Sequence, residues 1–207
     1  MRLEFQVQGQ VKGFQYNARA RLHWQHQLDR YQLHQEVSAF LLGARSQTSS
    51  GHLTSTGLEP ERFDDLARKK LRAAHFDWVT GLARFEPEAP LVHIAPGTQD
   101  RLSVFLQLSG LLAAGADHYP AGTEITLPTA STKAVQAWTF HLHGPDTLEL
   151  PAGTTEAIRL ERLPRSADDQ KAELWLAPSL GYLPVRIRLS EAQGDFADLQ
   201  LQSHTTP

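Results

Sequence analysis

Two pairs of histidines are the first residues in this chain whose types and spacing could do chemistry. His141 and His143, in "WTFHLHG", share one face of an extended segment. His23 and His34 would stand directly opposite each other if residues 14 to 40 form a hairpin, and imidazoles opposed across an antiparallel pair are close enough to share one ion. A pair without a third histidine or a carboxylate makes a weak site, and ten histidines in the chain make such pairs easy to find, so no metal centre is expected. Paired acids occur at Asp64 with Asp65 and at Asp168 with Asp169. Glycoside hydrolysis needs carboxylates facing each other across a cleft, whereas adjacent aspartates read as a helix cap or a solvated turn. The nucleophile patterns G-x-S-x-G and S-x-x-K are absent, and "TSSGH" offers a serine and a histidine with nothing to orient them. No glycine-rich phosphate loop opens a helix. The sequence predicts no catalytic residue, no cofactor and a non-enzymatic protein.

Aromatic and basic residues are the remaining candidates. Trp24, Trp138 and Trp175 fall on separate extended segments, joined by Phe5, Phe140, Tyr31 and Tyr182. They could line an apolar pocket, stack outward on sugar rings, or simply pack in a core, as large aromatics on strands ordinarily do. Arg186 and Arg188, beside Arg159, could hold an anionic head group or form a solvated face paired with Glu161 or Glu173. The candidate ligand-binding set is Trp24, Phe105, Trp138, Phe140, Trp175, Tyr182, Arg186 and Arg188.

The elements that would position these residues are mostly strands. Leu3, Phe5 and Val7 alternate with Arg2, Glu4 and Gln6; Tyr16, Ala18, Ala20, Leu22 and Trp24 alternate with Asn17, Arg19, Arg21, His23 and Gln25. Pairing Trp24 with Leu33 and Ala20 with Val37 keeps both apolar sets of the hairpin on one side. Further strands are predicted near 44–55, 69–79, 82–86, 124–128, 135–143, 147–150, 155–163, 172–177, 183–190 and 196–202. Turn chemistry separates them at "TGLEPERFDD", "EPEAP", "PGTQD", "HYPAGT", "GPD", "PAGT" and "EAQGD".

One segment breaks the alternation. In "DRLSVFLQLSGLLAAG" the spacing is helical over about 101–114, with Asp100 as N-cap and Gly115 as C-terminal stop. Val104, Phe105, Leu106, Leu108, Leu111 and Leu112 fill more than half its circumference and leave Ser103, Gln107 and Gly110 as a narrow polar stripe. Such a helix needs to be surrounded. The predicted fold is therefore mainly β, a strongly curved antiparallel sheet or open β-barrel around one buried helix, in one domain over 1–207. In "ELWLAPSLGYLPVRIRLSE" (173–191), Leu174 and Leu176 point one way and Trp175 the other, so both faces need cover there. A helix seated in the curve covers one, and Trp175 is expected to face a groove shared with it.

A formal charge of -3 with scattered Lys and Arg excludes a nucleic-acid footprint, and zero cysteine excludes disulfides and thiolate chemistry. No apolar run is long enough to span a bilayer as a helix. Met1 is followed at once by a strand pattern, so either the protein is cytoplasmic or Met1 replaces a removed leader.

"LWLAPSLGYLPVRIRLSEAQGDFADLQL", with "GLEPERFDD", "AHFDW" and "QDRLSVFLQL", resembles an uncharacterised domain-of-unknown-function family of proteobacterial proteins, usually made with a secretion leader. That resemblance implies export to the periplasm and carries over no catalytic or binding residues. A second likeness is at the level of fold, to periplasmic lipoprotein carriers, in which an unclosed barrel with helical plugs encloses an apolar cavity. The expected function is a periplasmic binding or carrier protein for an apolar or acylated ligand. The alternatives are a cell-envelope glycan-binding module, and a protein-interaction factor without a small ligand.

Overall fold

Alternation of apolar and polar residues carries most of the chain into strands. A computed structural model describes residues 1–39, 43–87, 90–167 and 169–206. The hairpin residue Phe40, Asp168 of the second acid pair, and residues 88 and 89 of "EPEAP" lie outside the described residues. The chain forms β1 (Arg2–Val11), β2 (Phe14–Gln27), β3 (Arg30–Ala39), β4 (Gly43–Thr54), β5 (Gly57–Ala67), β6 (Lys70–Asp77) and β7 (Leu82–Glu86). The short strands β8 (Val92–His93) and β9 (Gln99–Asp100) lead into helix α1 (Ser103–Gly115). After it come β10 (Glu124–Ala130), β11 (Val135–Leu150), β12 (Gly153–Arg162), β13 (Lys171–Ala177), β14 (Leu183–Ser190) and β15 (Phe196–Thr205).

One 15-stranded sheet runs in the order β8-β7-β6-β5-β4-β3-β2-β1-β15-β14-β13-β12-β11-β10-β9. Its pairings are antiparallel apart from that of β9 with β10. The two edge strands are separated in sequence only by residues 94–98. That link reaches roughly 20 Å when fully extended, whereas the edges of a flat sheet with strands about 4.8 Å apart would lie roughly 65 Å from each other. The sheet must curl, and it forms an open roll with an inner and an outer face. Successive turns alternate between its two ends. An upper rim carries the β1–β2, β3–β4, β5–β6 and β14–β15 turns, and a lower rim carries the β2–β3, β4–β5, β6–β7 and β13–β14 turns.

The β2–β3 hairpin has the expected register, with Trp24 opposite Leu33, Ala20 opposite Val37 and His23 opposite His34. Three expected turns are corrected. "TGLEPERFDD" is most of β5, because Pro60, which has no N–H to give a ladder, falls where the pairing with β4 shifts register between Ser50 and Gly51. The bulge disrupts the period, so Leu58, Pro60 and Phe63 are all buried. Asp64 and Asp65 consequently lie on opposite faces of a strand and form neither a cap nor a turn. "GPD" is the interior of β11, whose pairing with β12 shifts between Leu142 and Gly144, and Gly144 takes a φ of 108°. That bulge moves the apolar set across the sheet: Trp138, Phe140 and Leu142 point inward, Leu148 and Leu150 outward. "PGTQD" ends in the edge strand β9.

The helix lies within the roll, packed on β5, β9 and β14. The N-cap is Leu102 rather than the expected Asp100, but Asp100 Oδ1 accepts from the N–H groups of Leu102 (2.8 Å) and Ser103 (2.7 Å), and Ser103 Oγ accepts from the Asp100 N–H (2.9 Å), a reciprocal arrangement of the capping-box type. At Gly115 the backbone turns to a φ of 175°, and a 3-10 turn over Ala116–His118 follows. The polar stripe meets water only at Gly110. Gln107 instead accepts from the Leu58 N–H at 2.8 Å and donates to the Thr56 carbonyl at 3.3 Å. Its amide fills the space that a Cβ on Gly57 (φ 119°) would need. The helix thus runs from mid-lumen, at Ser103, to the β4–β5 turn of the lower rim.

Leu108 is fully buried. Leu108→Ala should lower stability by about 2–5 kcal/mol, the range for emptying a buried leucine site, and Leu108→Asp by more. The shift of the urea midpoint reads this, and an unmoved midpoint would show that the helix is peripheral.

Candidate functional site

The candidate residues predicted from sequence do not converge on one cavity. Trp138, Phe140 and Phe105 are buried within the roll. Trp24 and Tyr182 are half-buried at the lower rim, Trp24 stacked on Tyr31 with ring centres 5.6 Å apart. Trp175, Arg186 and Arg188 belong to the outer face. Here the expectation of a groove shared with the helix is overturned, because Leu174 and Leu176 take the inner face and the strand's period sends Trp175 outward. The guanidiniums of Arg186 and Arg159 cover the Trp175 ring at 4.7 Å and 5.7 Å, and its Nε1 donates to Asp146 Oδ2 at 2.9 Å. The β11–β12 turn folds onto β15, where the Ala152 N–H donates to the Leu201 carbonyl at 3.0 Å. Arg159 pairs with Glu173 (2.6 Å) and Glu161 (3.4 Å). Arg186 and Arg188 pair instead with Asp198, Arg186 through a two-bond fork of 2.9 Å and 2.6 Å.

The interior is divided by residue size. Leucines, phenylalanines and the helix fill its lower part, whereas near the upper rim the inner face carries an in-register row of Ala172, Leu189, Ala197, Gly9 and Tyr16. The Tyr16 ring lies over Gly9, where a Cβ would collide with it. Across the lumen stand Gln35 and Val37 of β3, Arg45 and Gln47 of β4, and Ala67 of β5. These small residues leave a cavity of about 330 Å³ walled by Tyr16, Val37, Leu189, Ala197 and Leu199. Arg45 is fixed on its wall by a fork to Asp65 (2.8 Å and 2.5 Å), which also accepts from Gln47 at 3.3 Å.

A second, wider depression of about 890 Å³ opens at the lower rim, bounded by Trp24, His26, Tyr31, Arg30, Leu180 and Leu183. Between the two lies a buried polar node. Asp100 Oδ2 accepts from Ser49 Oγ at 2.5 Å, and Ser49 Oγ is 2.9 Å from the Tyr31 hydroxyl. Burial pushes the Asp100 carboxyl up to about 6, against the opposing pull of the bonds from Ser49, Ser103 and Leu102. Burial, then the nearby Asp100 carboxylate, pushes the Tyr31 phenol up.

Residues 4–201 match the family model described as a protein of unknown function, DUF3108. The chain belongs to that family. No curated protein sequence matches it. Among solved structures, this DUF3108 chain is similar to a beta-barrel-like protein of domain of unknown function DUF1849 from Brucella abortus, with a TM-score of 0.62 at 12% identity, over 97% of this chain and 94% of that one. At that identity the likeness shows the fold alone.

His23 faces His34 across the β2–β3 ladder, and His34 Nδ1 is 2.9 Å from Thr48 Oγ1. Burial, followed by the Arg2 guanidinium, lowers the His23 pKa. His141 and His143 pack edge to face, and His143 Nε2 is 3.1 Å from Glu161 Oε2. Among the described residues, no group of three or more His, Cys, Asp or Glu side chains is arranged to hold a metal ion. Sequence reasoning missed Arg45, Gln47 and Arg162, because polar residues on a strand read as outward-facing, and it read Asp65 as part of a cap or a solvated turn. The signal that could have found them is the in-register excess of alanine and glycine on the same face.

Asp100 makes the fold sensitive to pH. Its folded carboxyl keeps its proton up to about pH 6 while the unfolded one releases it near 3.8, so the folded state binds more protons in that window and stability falls as pH rises through it. The expected loss is about 3 kcal/mol. Urea unfolding of the wild type and of Asp100→Asn from pH 4 to 7 checks this: the difference between the two proteins should move by that amount, and a constant difference would refute it.

Proposed function

We propose that this DUF3108 chain is a non-enzymatic binding or carrier protein of the periplasm, and that its ligand is apolar or acylated and enters the roll from the upper rim. The observation that carries the reading is the half-filled lumen: a helix fills the lower part, while alanine and glycine leave about 330 Å³ beside Val37, Leu189 and Leu199 in the upper part. Small-ligand pockets are apolar concavities with a few polar groups that fix orientation, and Gln35, Gln47 and Arg45 supply such groups at this wall. Asp100, whose carboxyl has a pKa suited to proton transfer, is fully buried and engaged by Ser49, Leu102 and Ser103, which speaks for a structural role. The compartment rests on the resemblance to a family made with secretion leaders.

A second reading, glycan binding, is favoured by the lower depression, where half-buried Trp24 stacks on Tyr31 beside Gln25, Gln27, Gln32 and His26. Aromatic faces flanked by amides suit sugar rings. Isothermal titration separates the two. Laurate should bind the wild type, and Ala197→Trp, which fills the upper cavity, should weaken that binding by about tenfold or more, equivalent to about 1.4 kcal/mol, with the circular dichroism spectrum unchanged. Failure of laurate and related amphiphiles to bind would overturn the first reading. Binding of soluble envelope oligosaccharides that is lost in Trp24→Ala would put the second in its place.

A further inference from the structure

Three guanidiniums approach one another at the upper part of the lumen. Arg162 points inward from β12 and is 2% exposed; it donates to Asp169 Oδ2 at 2.7 Å and to the Gln170 carbonyl, and it lies 4.3 Å from the centre of the Trp138 ring. Its Nε has no hydrogen-bond partner among the described residues. Arg101 follows the buried Asp100 and brings its guanidinium to 5.6 Å from the same Trp138 ring. Asp100 is anchored to Ser49, which shares the inner face of β4 with Gln47 and Arg45, so Arg101 follows above that node, toward the upper rim.

Among the described residues the cations there outnumber the carboxylates. Arg45 is held by Asp65 and Arg162 by Asp169, whereas Arg101 has no ion-pair partner among the described residues. Lys70 and Arg72 add two further cations in register with Ala67 and Asp65. Water reaches the Arg101 side chain, and burial, then repulsion from Arg162 and Arg45, lowers its pKa against the attraction of Asp65 and Asp169. An incoming anion would relieve the repulsion among these guanidiniums and gain charge-assisted hydrogen bonds.

We infer that the lumen selects amphiphiles with an anionic head, a carboxylate or a phosphate, held by Arg101 between Arg45 and Arg162 while the apolar part lies along Val37, Leu189 and Leu199. This rests on the amphiphile reading and deepens it. It also replaces the sequence-based assignment of the head group to Arg186 and Arg188, which the outer face and Asp198 occupy.

Isothermal titration of the full chain tests the inference with laurate, dodecyl phosphate, uncharged monolaurin, acetate and inorganic phosphate. The two anionic amphiphiles should bind at least about tenfold more tightly than monolaurin, the factor that one charge-assisted hydrogen bond supplies. Arg101→Gln should abolish that preference, and Arg101→Lys should keep part of it. Acetate and inorganic phosphate should not bind measurably. Equal binding of laurate and monolaurin by the wild type, or an undiminished preference in Arg101→Gln, would overturn the inference and leave the amphiphile reading standing. Binding of inorganic phosphate as tight as that of dodecyl phosphate would show a free-anion site and overturn the head-group assignment. If no amphiphile binds the wild type, both fall together.

Discussion

The carboxylate of Asp100 joins parts of the chain that the sheet's own ladder does not. It belongs to β9, the last strand of the order, and accepts hydrogen bonds from Ser49 on β4 and from the first turn of α1. One buried side chain therefore starts the helix, places it in the lumen and holds an edge of the sheet against its opposite half. Burying a carboxylate is costly unless its acceptors are occupied, and the capping box together with Ser49 occupies them. Tyr31, hydrogen-bonded to Ser49, extends the node to β3.

Filling follows from that placement. The helix runs from the node toward the lower rim, and Gln107 fastens it to the β4–β5 turn. Among the described residues no helix packs above the node, and the facing positions carry Ala172, Ala197, Gly9 and Ala67. Large side chains thus accompany the plug, and small ones leave the space beyond it. The polar residues that face inward, Arg45, Gln47, Asp65 and Arg162, lie in the same upper part.

Much of this was legible in the sequence. The β2–β3 register followed from pairing apolar sets, and the helix from a period that put leucines on more than half of its circumference. What failed did so at bulges and at polar residues facing inward. Pro60 and Gly144 each mark a place where one extra residue moves the following side chains to the other face, so a strict period of two misreads what comes after. Asp65 looked solvated because two adjacent aspartates read as a cap or a turn, and nothing local reveals that Arg45 waits across the ladder. Trp175 looked like a lining residue because alternation shows that two faces are covered without showing by what; guanidiniums and a folded hairpin tip do it.

The seam of the roll differs in kind from its walls. Neighbouring strands are joined by backbone ladders, but β9 meets β5 and β4 through side chains, Gln99 donating to the Leu58 carbonyl at 2.7 Å and Asp100 accepting from Ser49. A hoop closed by a few side-chain bonds has a girth that is not locked by strand number, as it would be in a barrel closed by its own ladder. Widening it parts side-chain bonds, those of Gln99, Asp100 and Gln107, and leaves every ladder intact, so compliance is concentrated at one line along the wall.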